Sequence, residues 1–393
     1  MKLIGKRSVS LICTLMFSLF TICGTAMAAT ETVLHSFAGS PTDGYCPTTG
    51  LIMDSTGNLY GTTMVGGTDT NGICGSQGCG TIFKLDTNNT LTVLHSFSAA
   101  TGTSPLGKLI MDSAGNLYGT TFGGGTNNMG TIYKLDTTGN LTVLHNFVLD
   151  GASSRAPAAG LVMDGTGNLY GTTVYGGAND AGTIYKLDTV GNLTVLHSFT
   201  GADGARPSAD LLMDSAGNLY GTASSGGLNN AGTVFKLDTN NNLTVLYRFG
   251  TTSKDGKYPF SKLVMDLAGN LYGTTSEGGS SKNAGVIFKL DTGNHLTVLF
   301  SFNVANGANP FAGLLRDSVG NLYGTTNNGG ANNMGTVFKL DTRNRLTVLH
   351  NFAGTPDGLG SEGDLIMDSA GILYGTSENG GTNNFGTIFK IQQ

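Results

Sequence analysis

The stretch Gly115-Asn116-Leu117-Tyr118-Gly119-Thr120-Thr121 decides the fold, because the chain writes it out seven times with few changes. The other copies stand at 57–63, 167–173, 217–223, 269–275, 320–326 and 371–377. Their tyrosines are Tyr60, Tyr118, Tyr170, Tyr220, Tyr272, Tyr323 and Tyr374, spaced by 58, 52, 50, 52, 51 and 51 residues. Working outward, Leu109-Ile110-Met111-Asp112-Ser113 leads into the second copy and a double glycine, Gly124-Gly125, follows it. Then come Gly130-Thr131-Ile132-Tyr133-Lys134-Leu135-Asp136-Thr137 and Leu141-Thr142-Val143-Leu144-His145-Asn146-Phe147, and the pattern begins again.

Each unit thus holds four short runs rich in β-branched and aromatic residues, with turn chemistry between them, which predicts a four-stranded antiparallel meander a-b-c-d. Asp-Ser-x-Gly-Asn between a and b, and its relative between c and d, supply the Gly or Asn that a tight hairpin needs at positive φ. A lone sheet cannot bury both faces, whereas sheets stacked around an axis cover one another. The period and the four strands therefore predict an all-β, seven-bladed β-propeller over residues 29–393. Composition agrees: 62 glycines, no tryptophan and 12% charged residues suit short strands and many turns.

Closure is written into the two ends. The seventh unit stops at Phe389-Lys390-Ile391-Gln392-Gln393 without a strand d, while Glu31-Thr32-Val33-Leu34-His35-Ser36-Phe37 precedes the first unit and matches Leu91 to Phe97. The N-terminal segment is expected to complete blade seven and remove an open sheet edge.

These strings resemble the GloVer tandem repeat of exported bacterial proteins, and the resemblance spans essentially the whole chain after residue 28. It implies export and carries no established activity. Members commonly end in surface-sorting anchors; the absence of an apolar tail after Gln393 points to free secretion or a periplasmic location instead. Lys2, Lys6 and Arg7 ahead of an apolar run from Val9 to Ile22, ending Ala26-Met27-Ala28, read as a secretory signal over residues 1–28. Its removal leaves 18 basic against 26 acidic residues, so no basic footprint for nucleic acid is expected. No membrane span is expected after processing, and a monomer without a cofactor is the simplest reading.

Residues that could carry chemistry mostly belong to the repeat. His35, His95, His145, His197 and His350 share one slot of strand d, filled elsewhere by Tyr247 and Phe300, so the slot calls for a packed ring and not for a base or a metal ligand. His295 alone lies outside it, in a c–d turn. Asp54, Asp112, Asp164, Asp214, Asp266, Asp317 and Asp368 open the a–b turns, where a carboxylate accepts backbone N–H groups. Lys84 and its six equivalents are expected to pair with carboxylates or reach outward. Double glycines such as Gly66-Gly67 have no helix after them and read as b–c turns, not phosphate cradles. Cys46, Cys74 and Cys79 are disulfide candidates, any two of which could pair in an exported protein.

Function should sit where the copies differ, on the face of the d–a and b–c loops. Just before the strand-a leucine the copies read Gly50, Lys108, Gly160, Asp210, Lys262, Gly313 and Asp364, a ring of charges expected at the channel mouth. With Arg155, Arg206, Tyr258 and Glu277 nearby, Lys108, Asp210, Lys262 and Asp364 form the candidate ligand-binding set; Lys282 is a further variable position. The leading expectation is a non-catalytic binding propeller for a glycan, peptide or envelope component. An exported carbohydrate-active lyase or hydrolase would instead use Asp210 and Asp364 with Glu277, Glu362 or Glu378. A structural surface or matrix role is the third expectation. No metal site and no catalytic residue are assigned.

Overall fold

The computed structural model describes residues 29–69, 72–148, 154–252, 254–279 and 283–393. Residues 1–28, read above as a secretory signal, and Lys282 lie outside them. Among the described residues there are seven four-stranded antiparallel sheets, with one two-stranded pair, Gly358–Leu359 and Asn379–Gly380, beside them. Blade 1 comprises Ile52–Met53, Leu59–Thr63, Thr81–Leu85 and Leu91–Ser96 as strands a to d. Strands a of blades 2 to 6 are Ile110–Met111, Val162–Met163, Leu212–Met213, Val264–Met265 and Leu315–Arg316, each followed by its own b, c and d. Blade 7 has Ile366–Met367, Leu373–Ser377 and Thr387–Gln392 as a to c, and Thr30–Ser36 is its strand d.

The closing strand pairs as the repeat requires. Thr30 faces Gln392, Val33 faces Phe389 and Ser36 faces Thr387. A bulge between Val33 and His35 repeats the one that every other c–d pair carries, for example opposite Ile82 and Phe83 in blade 1. The same local geometry therefore serves one chain end and six continuous hairpins.

Strand c explains how the sheets stack. Its side chains alternate between two covered faces, so it reads as a continuous apolar run instead of an in/out alternation. Ile82 enters the cluster shared by blades 1 and 2, and Phe83 enters the cluster shared by blades 7 and 1. Seven such clusters exist among the described residues, one at each seam, including the 7/1 seam that closes the ring. The glycine after each repeat tyrosine leaves room for that ring: a Cβ at Gly61 would stand 2.6 Å from Phe83 Cζ.

One polar contact crosses every seam, and a packing contact accompanies it at six. The first threonine after that glycine donates to a carbonyl of the next blade, from Thr62 to Pro105 O at 3.1 Å around to Thr376 to Thr49 O at 3.0 Å. At six seams a proline from the d–a loop also rests on the glycine that opens the preceding blade's strand c. At Gly182, with φ +99°, an added Cβ would lie 2.6 Å from Pro207 Cδ and would also run into the Thr173 carbonyl.

Substituting Gly182→Ala should therefore destabilise the protein by about 2–4 kcal/mol, read by denaturant unfolding, since neither obstacle is a flexible side-chain end. Deleting residues 29–38 should abolish the cooperative thermal transition; an unchanged melt would show that Thr30–Ser36 contributes nothing to closure.

Candidate functional site

The candidate site is built by the d–a loops. In each loop one residue takes the left-handed conformation: Cys46, Ser104, Ala156, Arg206, Tyr258 and Asn309 have φ between 53° and 57°, and Gly360 fills the seventh slot at 64°. Such a φ costs a non-glycine residue about 1 kcal/mol or more. Two backbone bonds hold it there. Arg206 N–H donates to Ala181 O of blade 3 at 2.8 Å, and Arg206 O accepts from Ser224 N–H of blade 4 at 3.3 Å. Proline follows directly in six copies, from Pro47 to Pro310, and keeps the turn from continuing as a helix.

From this anchor the chain dives to the axis, and each loop contributes two residues to the mouth. The second residue after the left-handed one gives an outer tier that includes Leu106, Ser208, Phe260, Phe311 and Glu362; it follows a proline in all of these but Glu362, which follows Ser361. Two residues further on lies the inner tier of Lys108, Asp210, Lys262 and Asp364, interleaved with Gly50 and Gly313. Together they enclose a recess of about 100 Å³. Phe260 is 37% exposed and meets the Phe311 ring edge-on at 5.5 Å, forming an aromatic lip over the charges.

Inner-tier charges are tied to the loops beside them. Asp210 Oδ1 accepts from Gly160 N–H at 2.6 Å, and Asp364 Oδ1 accepts from Gly313 N–H at 2.6 Å. Lys108 Nζ lies 4.0 Å from Asp364 Oδ2, reaching across blade 1. A Cβ at Gly313 would crowd Asp364 and Lys262, so glycine at these positions makes room for the neighbouring charges. Burial pushes the Asp210 carboxyl above its ordinary value and Asp364 adds to the rise, while Lys262, the Gly160 N–H and Lys108 oppose it.

A second set of groups borders the mouth at blade 7. Burial, with help from Glu378, lifts Glu362 from 4.5 to about 6, and burial also raises Glu378. Glu362 Oε1 accepts from Asn327 Nδ2 at 2.9 Å. Free Cys46 is lifted to about 11 by burial and then by Glu378, so its thiol is a poor nucleophile at neutral pH. The disulfide joins Cys74 to Cys79.

The remaining sequence-predicted residues do not reach the mouth. Arg155 and Arg206 flank the Tyr175 ring at 5.2 and 5.8 Å, and Arg155 pairs with Asp180 at 2.5 Å. Beside them a groove of about 390 Å³ runs past Phe122 to Ile73, which is 59% exposed. Tyr258 holds the left-handed slot of its loop; the Glu277 backbone pairs with that of Lys257 as a β-bridge, and its carboxylate accepts from Asn283 Nδ2 at 3.0 Å. The sequence reading set these residues on the variable face beside the mouth, and they lie there as two places apart from the recess. It also missed Phe260 and Phe311, whose signal is their position directly after Pro259 and Pro310.

Repeated polar residues serve the scaffold. Each strand-d ring, whether His, Tyr247 or Phe300, stands edge-on to the phenylalanine two residues later, as His197 does with Phe199 at 5.1 Å. Unforeseen was an aspartate on the d–a loop that bonds the ring: His35 with Asp43, His197 with Asp203, His350 with Asp357 and Tyr247 with Asp255. His295 lies outside this slot and is largely exposed, near Asp291. Asp54 accepts from Thr56 and Asn58 N–H and from Tyr60 OH; these bonds outweigh burial and hold its carboxyl well below the usual range. The lysines depart from expectation: in blades 1 to 6 each ammonium stands over a strand-b tyrosine ring, as Lys339 does over Tyr323 at 5.3 Å. Larger clefts of about 540 and 740 Å³ open between blades among the a–b and c–d turns. Their lining is mostly such repeat residues, so they follow from stacking alone.

Glu362 gives this geometry a stability signature. Its proton is held more tightly in the folded chain, so folding gains from acidification between about 6 and 4.5, and the ionised form is disfavoured above that window. Replacing Glu362→Gln should raise the melting temperature at a pH well above 6, and by much less at a pH below 4.5, where the carboxyl is protonated whether folded or not. An equal effect at both pH values would contradict the buried carboxylate.

Comparison with known proteins agrees with the architecture. The extracellular domain of a one-component system from B. thetaiotaomicron aligns at 11% identity with a TM-score of 0.55, over 90% of this chain and 40% of that one. A gluconolactonase from Xanthomonas campestris aligns at 15% identity with a TM-score of 0.43, over 71% of this chain and 82% of that one. At 11% identity the first of these likenesses concerns the fold alone. No curated protein matches in sequence. The profile of the Gloeobacter/Verrucomicrobia repeat matches residues 19–166, 73–283 and 262–393, and with seven copies of one repeat stacked as seven blades, the chain belongs to that repeat family.

Proposed function

We propose that this is an exported, non-catalytic binding propeller whose mouth on the d–a loop face receives a peptide or glycan. The observation that carries the reading is the convergence, at one axial recess, of Lys108, Asp210, Lys262 and Asp364 beneath the Phe260–Phe311 lip. Opposite charges beside an exposed ring suit a ligand that combines polar groups of both signs with an apolar or ring face. A recess of about 100 Å³ is too small to enclose a whole ligand, so the ligand would insert an end or a side group and lie across the rim. Export rests on the N-terminal signal pattern.

A second reading draws on Glu362 and Glu378, whose raised values suit a general acid in a lyase or hydrolase. It predicts turnover of a soluble oligosaccharide that Glu362→Gln abolishes.

The binding reading is tested by calorimetry against panels of oligopeptides and oligosaccharides. For any ligand found, reversing Lys108→Glu and Lys262→Glu should weaken binding by about tenfold or more, as loss of partly buried charge contacts does. A ligand indifferent to both changes, or turnover in the same panel, would reject it.

A further inference from the structure

The N-terminal strand brings one residue that breaks the repeat. At the position of Glu31, the other six d strands carry Leu91, Leu141, Leu193, Leu243, Leu296 and Leu346. Those leucines lie against the clusters at the seam with the preceding blade. At the seam between blades 2 and 3, Leu193 shares a recess with His145, the strand-d ring of the blade before it. Glu31 accordingly places a carboxylate where an apolar side chain should meet the His350–Asp357 pair of the 6/7 seam.

The three groups converge. Ligand atoms of Glu31, His350 and Asp357 all lie within 4.8 Å of one another, and no other such trio of His, Cys, Asp or Glu occurs among the described residues. His350 Nε2 is 2.9 Å from Asp357 Oδ2. Asp357 is oriented by Ala353 N–H at 2.8 Å on Oδ2 and Gly358 N–H at 2.6 Å on Oδ1. Glu31 Oε1 is buried without a hydrogen-bond partner. A buried carboxylate oxygen left without a donor is costly, and a cation is the partner that would remove the cost.

We infer that Glu31, His350 and Asp357 form a divalent transition-metal site of the Zn²⁺ class, which clips the N-terminal strand across the seam between blades 6 and 7. One imidazole nitrogen and two carboxylate oxygens suit zinc, with water completing four ligands. Calcium and magnesium demand six or more oxygen ligands and fit this set poorly. Because His350 comes from strand d of blade 6, Asp357 from the loop that follows it and Glu31 from the far N-terminus, the ion would stabilise the closed ring over any opened form.

The His35–Asp43 and His197–Asp203 pairs serve as internal controls, since leucine occupies the third position at their seams. Untagged protein is stripped with chelator and titrated with Zn²⁺ by calorimetry and thermal melting. One equivalent should bind and raise the melting temperature. Glu31→Leu, which restores the repeat residue, should melt no lower than the metal-free parent yet bind zinc at least about tenfold more weakly and lose its stabilisation. Leu91→Glu should add a second equivalent at His35 and Asp43. Zinc stabilisation that persists in Glu31→Leu, a stronger response to Ca²⁺ than to Zn²⁺, or no response in the parent would overturn the assignment.

Discussion

Everything in this molecule depends on how one blade grips the next. At each seam a threonine hydroxyl donates to the next blade's carbonyl, and at six of them a proline ring rests on a glycine whose missing side chain leaves the space. Each hydroxyl bond contributes only about 1 kcal/mol, but it satisfies a buried backbone carbonyl that would otherwise oppose stacking. The apolar clusters supply the larger stabilisation by removing both faces of every sheet from water. Because each seam is the same, an opening at any one exposes two sheet faces together. That is why the chain devotes its first described strand to the last blade.

The same grip confines variation. Strands b and c, and the turns that join a to b and c to d, are held on both sides by neighbours, so their polar residues are committed to bonds within the scaffold. Asp54 is bound by its own turn and Lys339 by a tyrosine ring; in strand d, His197 is likewise held by Asp203 and Phe199. Only the d–a and b–c loops escape, and within the d–a loop the left-handed residue and the proline are fixed in backbone geometry while their neighbours are free in side chain. Chemical difference between blades is therefore delivered to two places: the tiers around the axis and the rim.

At the axis the consequence is electrostatic. Seven loops converge on a space of about 100 Å³, so the four inner-tier charges must share it with glycines that leave them room. Each aspartate takes an N–H from the preceding blade and lies among lysines, which keeps the centre near neutrality despite an acidic chain. Such a mouth discriminates by the arrangement of charge more than by its amount.

Period, strand content, turn chemistry and ring closure could all be read from the sequence, because they are local patterns repeated seven times and each copy reports on the others. The placement of Lys108, Asp210, Lys262 and Asp364 at the mouth followed from the same logic, as positions equivalent under the repeat. Contacts between blades could not be read in that way. Nothing in the local pattern says that the strand-d histidine meets an aspartate on the next loop, that Arg155 and Arg206 share Tyr175, or that Phe260 and Phe311 form a lip. Nor does it say that Glu31, conspicuous only as a missing leucine, comes to rest against His350 and Asp357 from the opposite end of the chain. Periodicity along the chain defines what each blade is, whereas the side chains that meet across a seam are set by the twist that brings one outer strand's end to the next one's start, and only the closed ring supplies that.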